Sequence, residues 1–162
     1  MALEGSWPDI QTAPLGAVDF VYAVAPHHPL AALDKPLTDD DLRAHRGVAV
    51  ADSTRRGQGV SHNIMPGQAV LTVPSMQHKL EAQLRGLGAG YLPLPLAKPH
   101  IAAGRLVVKT LAQPPRNVRV AYAWRLPRSA SSTGQAQQWW LQQLQSPATR
   151  ASLLQSAHRP SQ

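Results

Sequence analysis

The run Val18–Ala25 (VDFVYAVA) constrains this chain more than any other stretch. It is almost continuously apolar and rich in β-branched and aromatic side chains. A strand of this kind has no face to give to water. It predicts a strand buried on both sides, as in a sheet covered by helices on each face. His27, His28 and Pro29 end it.

The remaining pattern supplies those helices. Thr38–His45 (TDDDLRAH) reads as a short helix with Thr38 as its N-cap. Asp39–Asp41 favour the positive end of that helix, so the acidic run is capping rather than a metal site. Gly47–Ala51, Ala69–Val73, Arg105–Leu111 and Val118–Trp124 read as further strands. Ser75 predicts a cap for a helix reaching Arg85, with Met76, Leu80, Leu84 and Leu87 as its buried stripe. Gly86, Gly88 and Gly90 stop that helix. Shorter helices follow at Leu96–Ala103, Gln135–Gln145 and Ala148–Ser156, the last opened by Ser146 and Pro147. Residues 1–16, with Gly5, Pro8, Pro14 and Gly16, read as loop. Interleaved strands and helices mean an α/β fold with a largely parallel sheet.

At 162 residues, 43% of them hydrophobic, the chain fits one domain or two small lobes. There is no cysteine, which removes disulfide scaffolds, thiolate metal sites and cysteine nucleophiles. No apolar run has the length of a membrane span. Met1–Ile10 carry Glu4 and Asp9 and no basic residue, unlike a secretory signal. The expectation is a cytoplasmic protein with no membrane partner. The net charge of +7 is unevenly placed: residues 1–80 carry −2 and residues 81–162 carry +9. A basic half can meet nucleic acid. Here the longest basic run is Arg55–Arg56, which makes a solvated face the simpler reading.

Catalytic patterns are missing. The seven histidines form no HxxxH pair, and there is no GxSxG elbow, P-loop or strand-following GxGxxG. Gly86-Leu87-Gly88-Ala89-Gly90 follows a helix and precedes a strand, the reverse of a dinucleotide fingerprint. The sequence therefore predicts a non-enzyme without cofactor or metal. Two places do suit a ligand. Asp52–Arg56 (DSTRR) lies just past the carboxyl end of a buried strand, where open α/β sheets bind ligands. Ser53 and Thr54 offer hydroxyls there, and Arg55 can pair with a carboxylate. The second place is the amino end of the helix at Ser75, Met76 and Gln77, where free backbone N–H groups suit a polar head group.

Three motifs then carry a resemblance. Phe20–Ala31 (FVYAVAPHHPLA) with the acidic Asp41–Leu42 that follows, Val73–Pro93 (VPSMQHKLEAQLRGLGAGYLP) and Gly104–Val107 (GRLV) resemble, in this order, the second regulatory subdomain of LysR-type transcriptional regulators. The resemblance spans about residues 10–157. It implies a periplasmic-binding-protein-like (type 2) effector domain, incomplete, with a Rossmann-like lobe and a mixed, mostly parallel sheet. It implies residues 1–16 as a remnant of the first lobe or a linker and 17–111 as a complete regulatory lobe II with its crossover strands. Residues 112–157 become the C-terminal part of lobe I and 158–162 a tail. The family's cleft positions fall on Ser53, Thr54 and Ser75–Gln77. The implied partners are a small effector, an aromatic or carboxylate metabolite, and a second copy in a homodimer or higher oligomer. DNA would be met only through a helix-turn-helix domain that this chain lacks, and Trp139 and Trp140 would be left exposed. The alternatives are a solute-binding module and non-specific nucleic-acid binding through the basic second half.

Overall fold

The computed structural model describes residues 9–51, 64–125 and 134–155. The chain divides into two compact units, one formed by Phe20–Arg116 and the other by Met1–Asp19 with Asn117–Gln162. The strand β1 (Ile10–Val24) contributes to both.

In the Phe20–Arg116 unit, β1 lies between β4 (Gly90–Pro93) and β5 (Val107–Lys109). Both pairings are antiparallel, with Tyr22 opposite Tyr91 on one side and Lys109 on the other. The parallel pairing lies elsewhere. Strands β2 (Gly47–Val50) and β3 (Val70–Val73) run parallel, and a single parallel bridge from Gly47 to Ala89 joins β2 to the start of β4. The sheet is therefore mixed, and the expectation that it is mostly parallel needs correcting. β1 and β5 run against the strands joined by helices, because they are long returns rather than βαβ steps.

The two-sided burial expected of β1 is present where it has two neighbours. Tyr22, Ala23, Val24 and Ala25 are all buried. Alternate residues serve alternate cores, as a period of two requires. Tyr22 and Val24 join Tyr91, Ala89, Leu30, Leu37 and Leu42 in one cluster. Ala23 joins Leu92, Leu80, Ala97 and Leu106 in the other. The first cluster is closed by the 3-10 turn Pro29–Ala32 and by α1 (Asp39–Arg43). The Lys109 ammonium reaches the carbonyls of Ala31 and Leu33 and ties that turn to β5. In α1 the Thr38 hydroxyl accepts from the Asp41 N–H while the Asp41 carboxylate accepts from the Thr38 N–H at 2.8 Å, a complete capping box. The second cluster is covered by α2 (Met76–Leu84) and α3 (Leu94–Ala102).

The other unit is built differently. β1 begins at Ile10, so residues 10–16 are strand rather than loop. The breakers Pro14 and Gly16 are overridden by pairing with β6 (Arg116–Arg125), a partner remote in sequence. An Asn117 amide donates to Asp19 at 2.7 Å beside that ladder. β6 alternates between half-buried and exposed residues along its whole length, and Tyr122 stacks on Trp124. Helices α4 (Gln135–Gln143) and α5 (Pro147–Gln155) bury no residue. Trp139 and Trp140 meet edge to face and are 52% and 54% exposed. None of the described residues of this unit is buried; among the described residues, every buried side chain belongs to Phe20–Arg116.

Helix α2 ends one turn before the expected stripe does. Gly86 takes a left-handed φ of 71°, its N–H bonds Gln83 O, and the Leu87 N–H bonds Ala82 O. This double closure turns the chain, so Leu87 is 48% exposed rather than part of the buried face. A Cβ at Gly86 would also collide with the His27 ring. Gly86→Ala is thus expected to lower stability by about 2 kcal/mol or more, through both strain and overlap. Gly67→Ala, also at positive φ but in open space, carries the strain alone and should cost about 1 kcal/mol. Urea unfolding of the two variants checks this, and equal losses would exclude the His27 overlap.

A pH dependence follows from His28. Its ring nitrogen accepts the Leu30 N–H and caps the 3-10 turn, and its side chain is buried. Burial, then the neighbouring His45 and His27, push its pKa below the ordinary value. Unfolding lets the ring take up a proton that the native state resists. The cap's contribution is therefore complete above about pH 6.5 and is lost as pH falls through the depressed native value. His28→Asn keeps an acceptor but cannot titrate, so its thermal stability should vary less between pH 7.5 and 5.5.

Candidate functional site

Strands β2 and β3 end side by side. Val50 pairs with Val73, and the Ala51 N–H donates to Val73 O at 2.8 Å. Both strands therefore deliver the chain to the same end of the sheet. Carboxyl ends of parallel strands are where such sheets bind ligands, because helix amino ends gather there. Ser53, Thr54 and Arg55, which follow β2, lie outside the described residues. Ser75, Met76 and Gln77 follow β3 and open α2, as their spacing predicts.

Ser75 is extended, with φ −150° and ψ 167°, and its hydroxyl accepts the His78 N–H. The same oxygen lies 2.8 Å from His78 Nδ1. The hydroxyl is thus a cap held by a ring, half-buried rather than free. Met76 is half-buried and packs on the cluster of Leu80 and Leu92, while Gln77 is exposed. Of this trio, Gln77 has the freer side chain, Ser75 presents a hydroxyl already engaged locally, and Met76 belongs largely to the core.

Polar residues that the sequence pattern did not single out lie deeper along α2. Lys79 and Gln83 are buried, at 9% and 0% exposure. One helical turn apart, they share a face and converge on Gly90 of β4. A Cβ at Gly90 would stand 2.9 Å from Gln83 Nε2 and 3.1 Å from Lys79 Nζ. The missing side chain of Gly90 is what admits them. Burial, followed by the charge of Arg116, brings the Lys79 ammonium down to about 8. The Arg116 guanidinium itself lies 5.5 Å from the Phe20 ring centre and 5.7 Å from that of Tyr91. Sequence alone could have raised this only through Gly90, since a lysine and a glutamine four apart read as the wet side of a helix. Among the described residues no group of three His, Asp or Glu could hold a metal ion.

With this geometry in view, comparison with known proteins decides the family. Residues 1–148 match the model for the LysR substrate binding domain. The chain belongs to the LysR substrate-binding domain family.

Curated relatives agree. Over 126 residues, 78% of this chain, it is 34% identical to the uncharacterized HTH-type transcriptional regulator YeeY of Escherichia coli K12, and it covers 40% of that protein. Over 97 residues, 60% of this chain, it is 40% identical to the HTH-type transcriptional activator AllS of Klebsiella pneumoniae, covering 36% of it. The LysR-family chain thus spans about two fifths of the length of the curated relatives it matches. Those relatives are transcriptional regulators, not enzymes. The regulatory domain of NMB2055 (MetR), a LysR family regulator from Neisseria meningitidis, superposes with a TM-score of 0.65 at 16% identity, over 95% of this chain and 69% of that one. Full-length LysG from Corynebacterium glutamicum, solved with bound effector Arg, superposes with a TM-score of 0.56 at 23% identity, over 78% and 44% of the two chains. The fold is the type 2 periplasmic-binding-protein-like α/β fold of LysR regulatory domains. Among the described residues no helix is long and apolar enough to cross a membrane.

The role of Ser75 as a cap can be separated from any role toward a ligand. Ser75→Ala removes the acceptor for the His78 N–H and should lower stability by about 1 kcal/mol, whereas Ser75→Gly should cost only a few tenths. Chemical denaturation of the unliganded protein measures both. A Ser75→Ala loss no larger than that of Ser75→Gly would mean that the hydroxyl does not cap α2.

Proposed function

We propose that this chain is the effector-sensing part of a LysR-type transcriptional regulator. A small molecule biases its conformation, and the bias passes to a helix-turn-helix domain elsewhere in the regulator. The observation that carries the reading is the exit of β2 and β3 at the same end of a parallel pair, beside the capped start of α2. The family match supports the same use.

On this reading 17–111 form regulatory lobe II with its crossover strands. Residues 1–16 and 112–157 supply parts of lobe I, and 158–162 are a tail. The absence of buried side chains among the described residues outside Phe20–Arg116 supports this division, because a lobe without a core needs more polypeptide to close it. Trp139 and Trp140 are then surface for that closing segment. The protein acts as a homodimer or higher oligomer in the cytoplasm, meets DNA only through the separate domain, and makes or breaks no bond.

The effector is a small polar metabolite, aromatic or carboxylate. Arg55 takes its anionic group, Ser53, Thr54 and Ser75 share its hydrogen bonds, and Met76 and Gln77 line the helix side. The relatives named above as regulators favour this over a solute-binding or nucleic-acid-binding module.

Thermal-shift screening of small carboxylates and aromatic metabolites, followed by calorimetry, tests the proposal. A ligand at a hundredfold excess over its Kd adds about 2.7 kcal/mol, or roughly 5–10 °C in Tm for a chain of this size. Arg55→Ala and Ser75→Ala should each weaken a hit about tenfold or more. Hits that bind both variants as tightly as wild type would remove these residues from the site.

A further inference from the structure

Strand β6 leaves one edge of its ladder open. Among the described residues it pairs with β1 alone, so a row of backbone N–H and C=O groups along it faces no strand. At its last residue the Arg125 carbonyl accepts from the Gln137 amide at 3.0 Å. An open edge is a template for another strand, and proteins that avoid such pairing blunt their edges with proline, lysine or bulges. The Ile10–Asp19 part of β1 carries Pro14 and Gly16. β6 (RNVRVAYAWR) has no proline, glycine or lysine, and it is rich in the β-branched and aromatic residues that suit a sheet.

The strand also complements itself. Val118, Val120, Tyr122 and Trp124 are half-buried on one face, while Asn117, Arg119, Ala121, Ala123 and Arg125 are exposed on the other. Two copies paired antiparallel about a two-fold axis keep like faces together only when the axis passes through a residue. An axis at Arg119 sets that guanidinium against its own copy, and one at Tyr122 sets Arg119 against Arg125. One at Val120 sets Arg116 against Trp124, although Arg116 already lies over Phe20 and Tyr91. Axes nearer either end pair at most half the strand.

An axis at Ala121 sets no like charges opposite each other. There Trp124 meets the partner's Val118 and Tyr122 meets the partner's Val120, aromatic on β-branched. Arg119 meets the partner's Ala123. Arg125 meets the partner's Asn117, whose amide bonds Asp19 one strand further on. Two strand spacings, about 10 Å, lie within the combined reach of an arginine and an aspartate side chain. The register is thus complementary in charge as well as in shape.

We infer that two copies of this chain join edge to edge along β6, antiparallel and centred on Ala121. The join widens the β1–β6 ladder from two strands to four, in a unit whose described residues bury no side chain. This goes beyond the effector reading and uses none of the residues assigned to the effector.

The chain has no cysteine, so single cysteines report the register directly. Ala121→Cys places two thiols on facing residues, with Cα atoms about 4.5–5.5 Å apart, and should give a covalent dimer under mild oxidation. Ala123→Cys leaves its two thiols about 14 Å apart and should link at least about tenfold more slowly. Sedimentation velocity of the full chain at about 100 μM should show a species of twice the chain mass. Ala123→Arg, at an exposed position, faces the partner's Arg119 twice over and should weaken the dimer about tenfold or more. Ala123→Glu makes two opposite-charge pairs instead and should tighten it about threefold or more. Urea unfolding checks that both variants fold. A monomeric wild-type chain overturns the pairing. So does a dimer that Ala123→Arg leaves intact, or one in which Ala121→Cys links no faster than Ala123→Cys; such a dimer uses another surface, for example the exposed Trp139 and Trp140. A monomer that still binds a compound from the thermal-shift screen loses only this contact and keeps the effector reading.

Discussion

The two-sided burial of β1 organises the Phe20–Arg116 unit. Once Ala23, Val24 and Ala25 are withdrawn from water, both faces of the strand need a cover. The period of two then sends Tyr22 and Val24 to one core and Ala23 to the other. Each core recruits its own elements: the 3-10 turn and α1 on one side, α2 and α3 on the other. The antiparallel neighbours β4 and β5 satisfy the strand's backbone groups where no water can reach them. The parallel pair β2–β3 attaches through Gly47 and Ala89, and its two strands end side by side at Val50 and Val73.

Features set by local chemistry were legible in the sequence. Thr38 and Ser75 cap their helices because a hydroxyl followed by a free N–H three residues on is a self-contained device. Gly86 stops α2 because the left-handed turn needs no information from the rest of the chain. The family motifs were legible for a related reason: the first two run from a strand end through a turn into a capped helix, and Gly104–Val107 leads from the end of α3 into β5.

Features set by distant partners were not. Residues 10–16 contain breakers, and only pairing with β6, about a hundred residues away, makes them strand. Leu87 continues a helical stripe on paper, yet the turn at Gly86 removes it from the face. Lys79 and Gln83 are polar at positions that local pattern assigns to solvent. Their burial depends on Gly90 lying opposite across the helix–sheet contact. Arg116 directly follows Pro114 and Pro115, and its place beside Phe20 and Tyr91 is a tertiary fact. Ser53, Thr54 and Arg55 lie outside the described residues.

The unequal distribution of covered side chains has a kinetic consequence. Backbone amides in Phe20–Val24 of β1, in β4 and in α2 sit above the two buried cores. Those of α4 and α5 rest on no such interior. Solvent deuterium should therefore enter the chain in two populations, one limited by global opening and one by small local fluctuations. The boundary between fast and slow exchange would fall at Asp19–Phe20 and Arg116–Asn117, where the polypeptide passes from one unit to the other.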